Sequence, residues 1–170
     1  MKLKEGDIFS ISVGDKGYGI GQIVKIPNKE SLSIVIYKEL LSNLDKVELS
    51  KIVKNSTPLF FGNTFDAKFY HKHWKILGND KTSLDRLKLP YYKIGSFLMY
   101  VEDFDKKKVK RASKQEKKKL MVRKYVAPVR LENALLAHYG LKKWEDELFN
   151  PLLYSYNIES NNLINNTVET

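Results

Sequence analysis

The sequence predicts an α+β fold, a strongly curved antiparallel sheet or half-open barrel followed by two or three C-terminal helices. Three observations predict it. Strand-like segments, the clearest with period-two alternation, run through the first 102 positions, glycines punctuate the first hairpin, and helix signals with caps begin at Ser113. At 170 residues and 19.8 kDa the chain has the length of one domain. The expected organisation is a single domain over residues 1–156 and a flexible, asparagine-rich tail over 157–170.

The elements follow in order. In residues 6–26, Phe9, Ile11 and Val13 alternate with serines, Asp15, Lys16 and Gly17 form a turn, and Tyr18, Ile20, Gln22, Val24 and Ile26 alternate again. This is a hairpin with one buried face. Gly17, Gly19 and Gly21 lie inside a strand pattern instead of opening a helix, so they mark a sharp bend or a close backbone approach and not a phosphate loop. A loop at Pro27 to Glu30 precedes a third strand over residues 31–38, carried by Leu32, Ile34 and Ile36. Residues 40–54 mix a helical spacing with turn formers and read as an irregular connection. Residues 58–69, 70–77 and 90–102 read as further strands, the last with Phe97 on the strand and a turn at Asp103 to Asp105.

Ser113 and Glu116 form a capping box, which starts a helix running to about Tyr125 with Leu120, Met121 and Tyr125 inward. Leu131, Ala134, Leu135 and His138 recur at i, i+3, i+4 and i+7 ahead of Gly140, which predicts a second helix over residues 129–139. Residues 141–151 pack back on the body through Trp144, Leu148 and Phe149.

Charge is the most informative part of the composition. Of thirty basic and twenty acidic residues, twelve basic and one acidic lie between Lys106 and Arg130, leaving eighteen and nineteen for the rest of the chain. The net charge of +10 is therefore local. Lys106, Lys107, Lys108, Lys110, Arg111, Lys114, Lys117, Lys118 and Lys119 are the candidate partner-binding residues. On one helix, like charges at positions 110 and 114, 114 and 118, and 119 and 123 would each cost about 0.2–0.5 kcal/mol, a cost that function would explain. Three readings suit such a face: an acidic protein partner, nucleic-acid phosphates gripped by a small β-barrel through residues 106–124, or a solvated surface that reflects only a lysine- and asparagine-rich composition. Only four of the thirty basic residues are arginine, the better reader of bases and phosphates, which favours the protein.

Catalytic constellations do not emerge. With no cysteine there are no disulfides, thiolate nucleophiles or sulfur-built metal sites, which fits a reducing cytoplasm. The first residues are charged and carry no apolar signal core, and no run approaches a membrane span. His71 and His73, two apart on an expected strand, would share a face but find no third ligand; His138 reads as a half-buried helix residue bonded to a backbone carbonyl. Asp103 with Asp105 and the Glu145, Asp146, Glu147 run sit where acids cap and solvate. A binding protein without cofactor or metal is expected.

The order of three blocks resembles the immunity protein twenty-six family of bacterial polymorphic toxin systems. These are the glycine-punctuated hairpin (Gly6, Asp7, Ile8, Phe9, then Gly14, Asp15, Tyr18, Gly19, Ile20, Gly21), the block Trp74, Lys75, Ile76, Leu77, Gly78, and the late helix Leu131, Glu132, Asn133, Ala134, Leu135 ending at His138, Tyr139, Gly140. The likeness covers residues 3–140. It implies a cytoplasmic antitoxin that occludes a cognate toxin domain, with affinity from a complementary patch and a charged rim that steers encounter. It assigns no functional residue. Many blockers of nucleases are acidic; this locally basic chain implies an acidic toxin surface or an interface away from residues 106–124.

Overall fold

The computed structural model describes residues 2–165. The fold is α+β: an antiparallel five-stranded sheet, open and not closed into a barrel, a second three-stranded sheet, and several C-terminal helices. Contacts divide the chain into two compact units where one domain was expected. The first comprises Met1–Leu87 and Tyr125–Tyr154, the second Lys88–Lys124 and the chain from Ser155.

In the first unit β1 (Asp7–Ser12), β2 (Tyr18–Lys25), β3 (Ser31–Leu41), β4 (Pro58–Phe65) and β5 (Lys75–Asn79) form a sheet in the order β4-β3-β2-β1-β5. The hairpin of β1 and β2 turns through Gly14–Lys16 and closes with the Val13 N–H donating to the Gly17 carbonyl at 2.8 Å. Gly17 has φ +114° and sits against the Leu41 carbonyl, so no side chain fits there. Register shifts at Ile8/Phe9, Gly19/Gly21, Ile23/Lys25 and Ile36/Tyr37 bend the strands.

One face packs against α4 (Pro128–His138), whose Leu131, Ala134 and Leu135 join Phe9, Ile11, Ile23, Ile34 and Phe60 in the main core. The strand glycines leave room for large side chains. A Cβ on Gly19 would lie 2.6 Å from a Leu135 methyl, and one on Gly21 would lie 2.3 Å from the Phe9 ring. At Gly19 and Gly21 the close approach is thus by side chains, whereas at Gly17 it is by the Leu41 backbone.

The hairpin buries both faces, contrary to the single face that alternation suggests. The polar residues of the second face are hydrogen-bonded under a cover. The Gln22 amide donates to the Asp80 carbonyl at 2.7 Å and the Ser83 hydroxyl at 3.0 Å, and accepts from the Tyr37 hydroxyl at 2.7 Å. Burial pushes the Tyr37 phenol up to about 12, so it remains a donor. The cover is the short 3-10 segment Thr82–Arg86 with α1 (Leu49–Asn55): Arg86 lies 5.4 Å over the Tyr37 ring and donates to the Val53 carbonyl at 2.8 Å.

Other boundaries differ for local reasons. The strand expected over 58–69 ends at Phe65, and one helical turn, α2 (Ala67–Tyr70), swings Phe69 edge-on to Phe9 at 4.8 Å. His71 and His73 consequently lie in a turn, with Lys72 at φ +58°, and not on a strand. The connection over 40–54 resolves into the end of β3 and the start of α1. Residues 141–151 return to the core through Phe149 and Trp144, on α5 (Asp146–Phe149) and just ahead of it, whereas Leu148 is exposed.

The second unit holds β6 (Tyr92–Ile94), β7 (Tyr100–Glu102) and β8 (Lys108–Arg111) in that order, α3 (Lys114–Lys119), and most of α6 (Tyr154–Glu159) with α7 (Asn161–Asn165). The strand expected over 90–102 is interrupted because Gly95 turns at φ +105°. The helix expected to reach Tyr125 ends at Lys119, because Leu120 adopts an extended backbone and buries with Val101, Ala112 and Ile164. The tail expected from residue 157 is helical through Asn165. There the Asn161 amide donates to the Leu89 carbonyl at 2.9 Å, while residues 166–170 lie outside the described residues.

Candidate partner-binding surface

All nine candidate residues fall in the second unit. Lys106 occupies the β7–β8 turn at φ +67°, the Lys107 N–H donates to the Asp103 carboxylate at 2.8 Å, and Lys108, Lys110 and Arg111 lie on β8. Lys114, Lys117, Lys118 and Lys119 lie on α3. Seven of the nine are exposed; Lys110 and Lys117 are half-buried.

The capping box is present: the Glu116 N–H donates to the Ser113 hydroxyl at 3.2 Å, and the Glu116 carboxylate accepts from the Ser113 N–H at 2.8 Å. That carboxylate is 1% exposed and pairs with the Lys110 ammonium at 2.7 Å. Burial alone would raise its pKa, but Lys110 and the Ser113 N–H outweigh burial and hold it below the ordinary range.

These positions correct the reckoning of repulsion. Lys110 is on a strand and Arg123 lies past the helix end, so of the three like-charge pairs only Lys114 and Lys118 share a helix. The cost falls to about 0.2–0.5 kcal/mol. Lys117, Lys118 and Lys119 occupy the last turn, where the helix dipole favours cations. Repulsion along a helix therefore argues little for function; exposure of the cations argues more.

Arg123 is a structural residue. Its guanidinium pairs with the buried Glu102 carboxylate at 3.0 Å, donates to the Asp103 and Phe104 carbonyls at 3.1 and 2.9 Å, and stacks 4.3 Å over Tyr92. Lys108 lies 4.8 Å over the Tyr100 ring, which tilts its charge along the sheet.

The sequence reading missed the apolar part of this unit. Phe97 is 97% exposed in the β6–β7 loop, flanked by Leu98 and Ile94, also exposed. Gly95 and Ser96, a loop-forming pair inside an otherwise apolar run, were the available signal.

The histidines do not assemble a site. The His71 and His73 rings are exposed with centroids 6.2 Å apart, and among the described residues no group of three or more His, Cys, Asp or Glu side chains is placed to hold a metal. His138 is exposed at the end of α4, not on its buried stripe; desolvation and then Lys38 lower its pKa.

The three sequence blocks meet in the core of the first unit. Leu135 fills the space over Gly19, and the Trp74 indole N–H donates to Glu132 at 2.9 Å while the Lys68 ammonium pairs with the same carboxylate at 3.0 Å. All three blocks lie in the first unit, whereas the nine basic candidates lie in the second. No helix among the described residues is long and apolar enough to cross a membrane. No curated protein and no solved structure matches the chain. The family described as Immunity protein 26 matches residues 4–119, well over half of the sequence, and the chain belongs to that family.

Proposed function

We propose that this chain is a non-enzymatic antitoxin that binds a cognate bacterial toxin domain in the cytoplasm and blocks it by occlusion. The observation that carries the reading is the family match over residues 4–119. An immunity protein needs a complementary surface and no reacting groups, and the exposed cations of Lys106–Lys108, Arg111 and α3 supply a face suited to an acidic partner. Lys110 belongs to the same surface but serves first as the counter-charge of Glu116. The lack of cysteine suits a reducing compartment.

The nucleic-acid alternative finds less support. The five-stranded sheet is open and not a barrel, and of the two arginines in residues 106–124, Arg123 is turned onto Glu102 and Tyr92, leaving Arg111 exposed. Co-expression with the toxin domain encoded by the neighbouring gene tests the reading: rescue of growth supports it, and continued killing overturns it. Retardation of DNA or RNA at about 50 mM salt, where phosphate binding is strongest, would favour the alternative.

A further inference from the structure

Phe97 is the most exposed large apolar side chain among the described residues, and nothing in the fold of its unit uses it. A bare phenyl ring, next to Leu98 and Ile94 at 52% and 40% exposure, is unfavourable in water and marks a contact surface.

The loop that carries it is mounted rigidly. Ile94 and Tyr100 pair across its base, and the Gly95 backbone at φ +105° packs so closely on the Leu98 carbonyl that a Cβ there would lie 2.2 Å from the oxygen. On one side the Lys93 N–H donates to the Met121 carbonyl at 2.9 Å and the Lys93 ammonium donates to the Lys117 carbonyl at 2.7 Å. On the other, the Ala112 N–H donates to the Met99 carbonyl at 2.9 Å. With the backbone tied at both ends of the loop, docking has less backbone to order there.

The surroundings fix the partner's chemistry. Arg111 lies directly across from Tyr100, at the end of β7 nearest the loop, and Lys108 reaches back along the sheet to the Tyr100 ring. Of the neighbouring carboxylates, Glu102 and Glu116 are buried and paired with Arg123 and Lys110, while Asp103 and the exposed Asp105 lie in the β7–β8 turn, at the other end of β7 from the Phe97 loop. An apolar tip in a cationic rim matches an apolar pocket ringed by carboxylates. Base stacking fits less well, because the companions of Phe97 on the tip are aliphatic and offer no second ring face.

We infer that Phe97 is the anchor by which this protein docks, seated in an apolar pocket with an acidic border on the toxin domain, with Arg111 and Lys108 as its cationic rim. The inference rests on the toxin-binding reading and assigns it a residue and a surface. Its test measures association and dissociation of the full chain on the immobilised toxin domain from the neighbouring gene, carrying an inactivating substitution, for wild type, Phe97→Ser, Phe97→Leu and Arg111→Glu. The expected result is dissociation about 30-fold faster or more for Phe97→Ser with association nearly unchanged, an intermediate effect for Phe97→Leu, and association about 10-fold slower for Arg111→Glu, an effect that fades with salt. Phe97→Ser should melt as wild type does, since the ring is solvent-exposed. Wild-type dissociation retained by Phe97→Ser would overturn the anchor and leave toxin binding intact; absence of binding by the wild-type chain would overturn both. A single-stranded RNA oligonucleotide retained by wild type and lost by Phe97→Ser would assign the ring to base stacking and overturn the protein-anchor reading.

Discussion

Replacing Trp74 by alanine tests the core of the first unit most directly. The indole is 1% exposed, stacks on Phe9 at 5.2 Å and 16°, and meets Phe69 edge-on at 5.4 Å. Removing so large a buried aromatic costs about 3–5 kcal/mol in transfer and cavity terms. The lost donor to Glu132 adds little, because that carboxylate keeps Lys68 and is 22% exposed, so water can replace the indole N–H. The expected loss is therefore about 4 kcal/mol, or a melting point lower by roughly 10–15 °C. Urea unfolding followed by fluorescence is a clean assay, since Trp144 becomes the remaining indole in the variant. Trp74→Phe, which keeps a ring against Phe9, should lose about 1–2 kcal/mol. A Trp74→Ala variant less than about 1 kcal/mol below wild type would refute the assignment of this residue to the core.

Three further outcomes are expected. Glu116 has a folded pKa below its ordinary value of 4.5, so its contribution to stability is complete above that value and is lost as the pH falls through the folded pKa. Glu116→Gln should then cost about 1–3 kcal/mol near neutral pH, and the gap from wild type should shrink on acidification; urea midpoints showing a pH-independent gap would contradict this. Gly21→Ala forces a methyl into the Phe9 ring and should lower stability by about 1–3 kcal/mol, read from the thermal midpoint. Reversing Lys107, Lys108, Lys118 and Lys119 to glutamate should slow toxin association at low salt without unfolding the protein, because all four are exposed; an unchanged association rate would place the interface elsewhere.

How much of this was legible in the sequence depended on whether a signal was local. The Ser113–Glu116 capping box, the Leu131, Ala134 and Leu135 stripe of α4 and the β1–β2 hairpin are set by neighbours in sequence, and each appears in the structure, His138 alone falling off the stripe. The second buried face of the sheet was not legible, because alternation implies a single buried face and the polar residues of the other find their partners only through tertiary structure: Ser83 for Gln22, and for Ser33 the Asn63 side chain at 2.7 Å. The end of α3 was likewise a tertiary decision, made by burial of Leu120 against residues as remote as Ile164. At the candidate surface, the basic residues were visible as composition, but their pairing was not. Lys110 and Arg123 look like any other cations in sequence, and only the folded structure shows that they neutralise Glu116 and Glu102. Phe97 reads as a strand residue in the sequence because the apolar run outweighs the Gly95–Ser96 break within it.

The first unit is assembled from two stretches of chain, with Lys88–Lys124 synthesised between them. The sheet strands are complete by Asn79, yet α4, which supplies Leu131 and Leu135 to one face, begins only at Pro128. At about 5–20 residues per second, a ribosome leaves Phe9, Ile34 and Phe60 without that lid for roughly 3–10 s. During that interval the apolar face of the sheet is exposed, so slower translation across residues 80–128 lengthens the time in which the half-built sheet can associate with other chains.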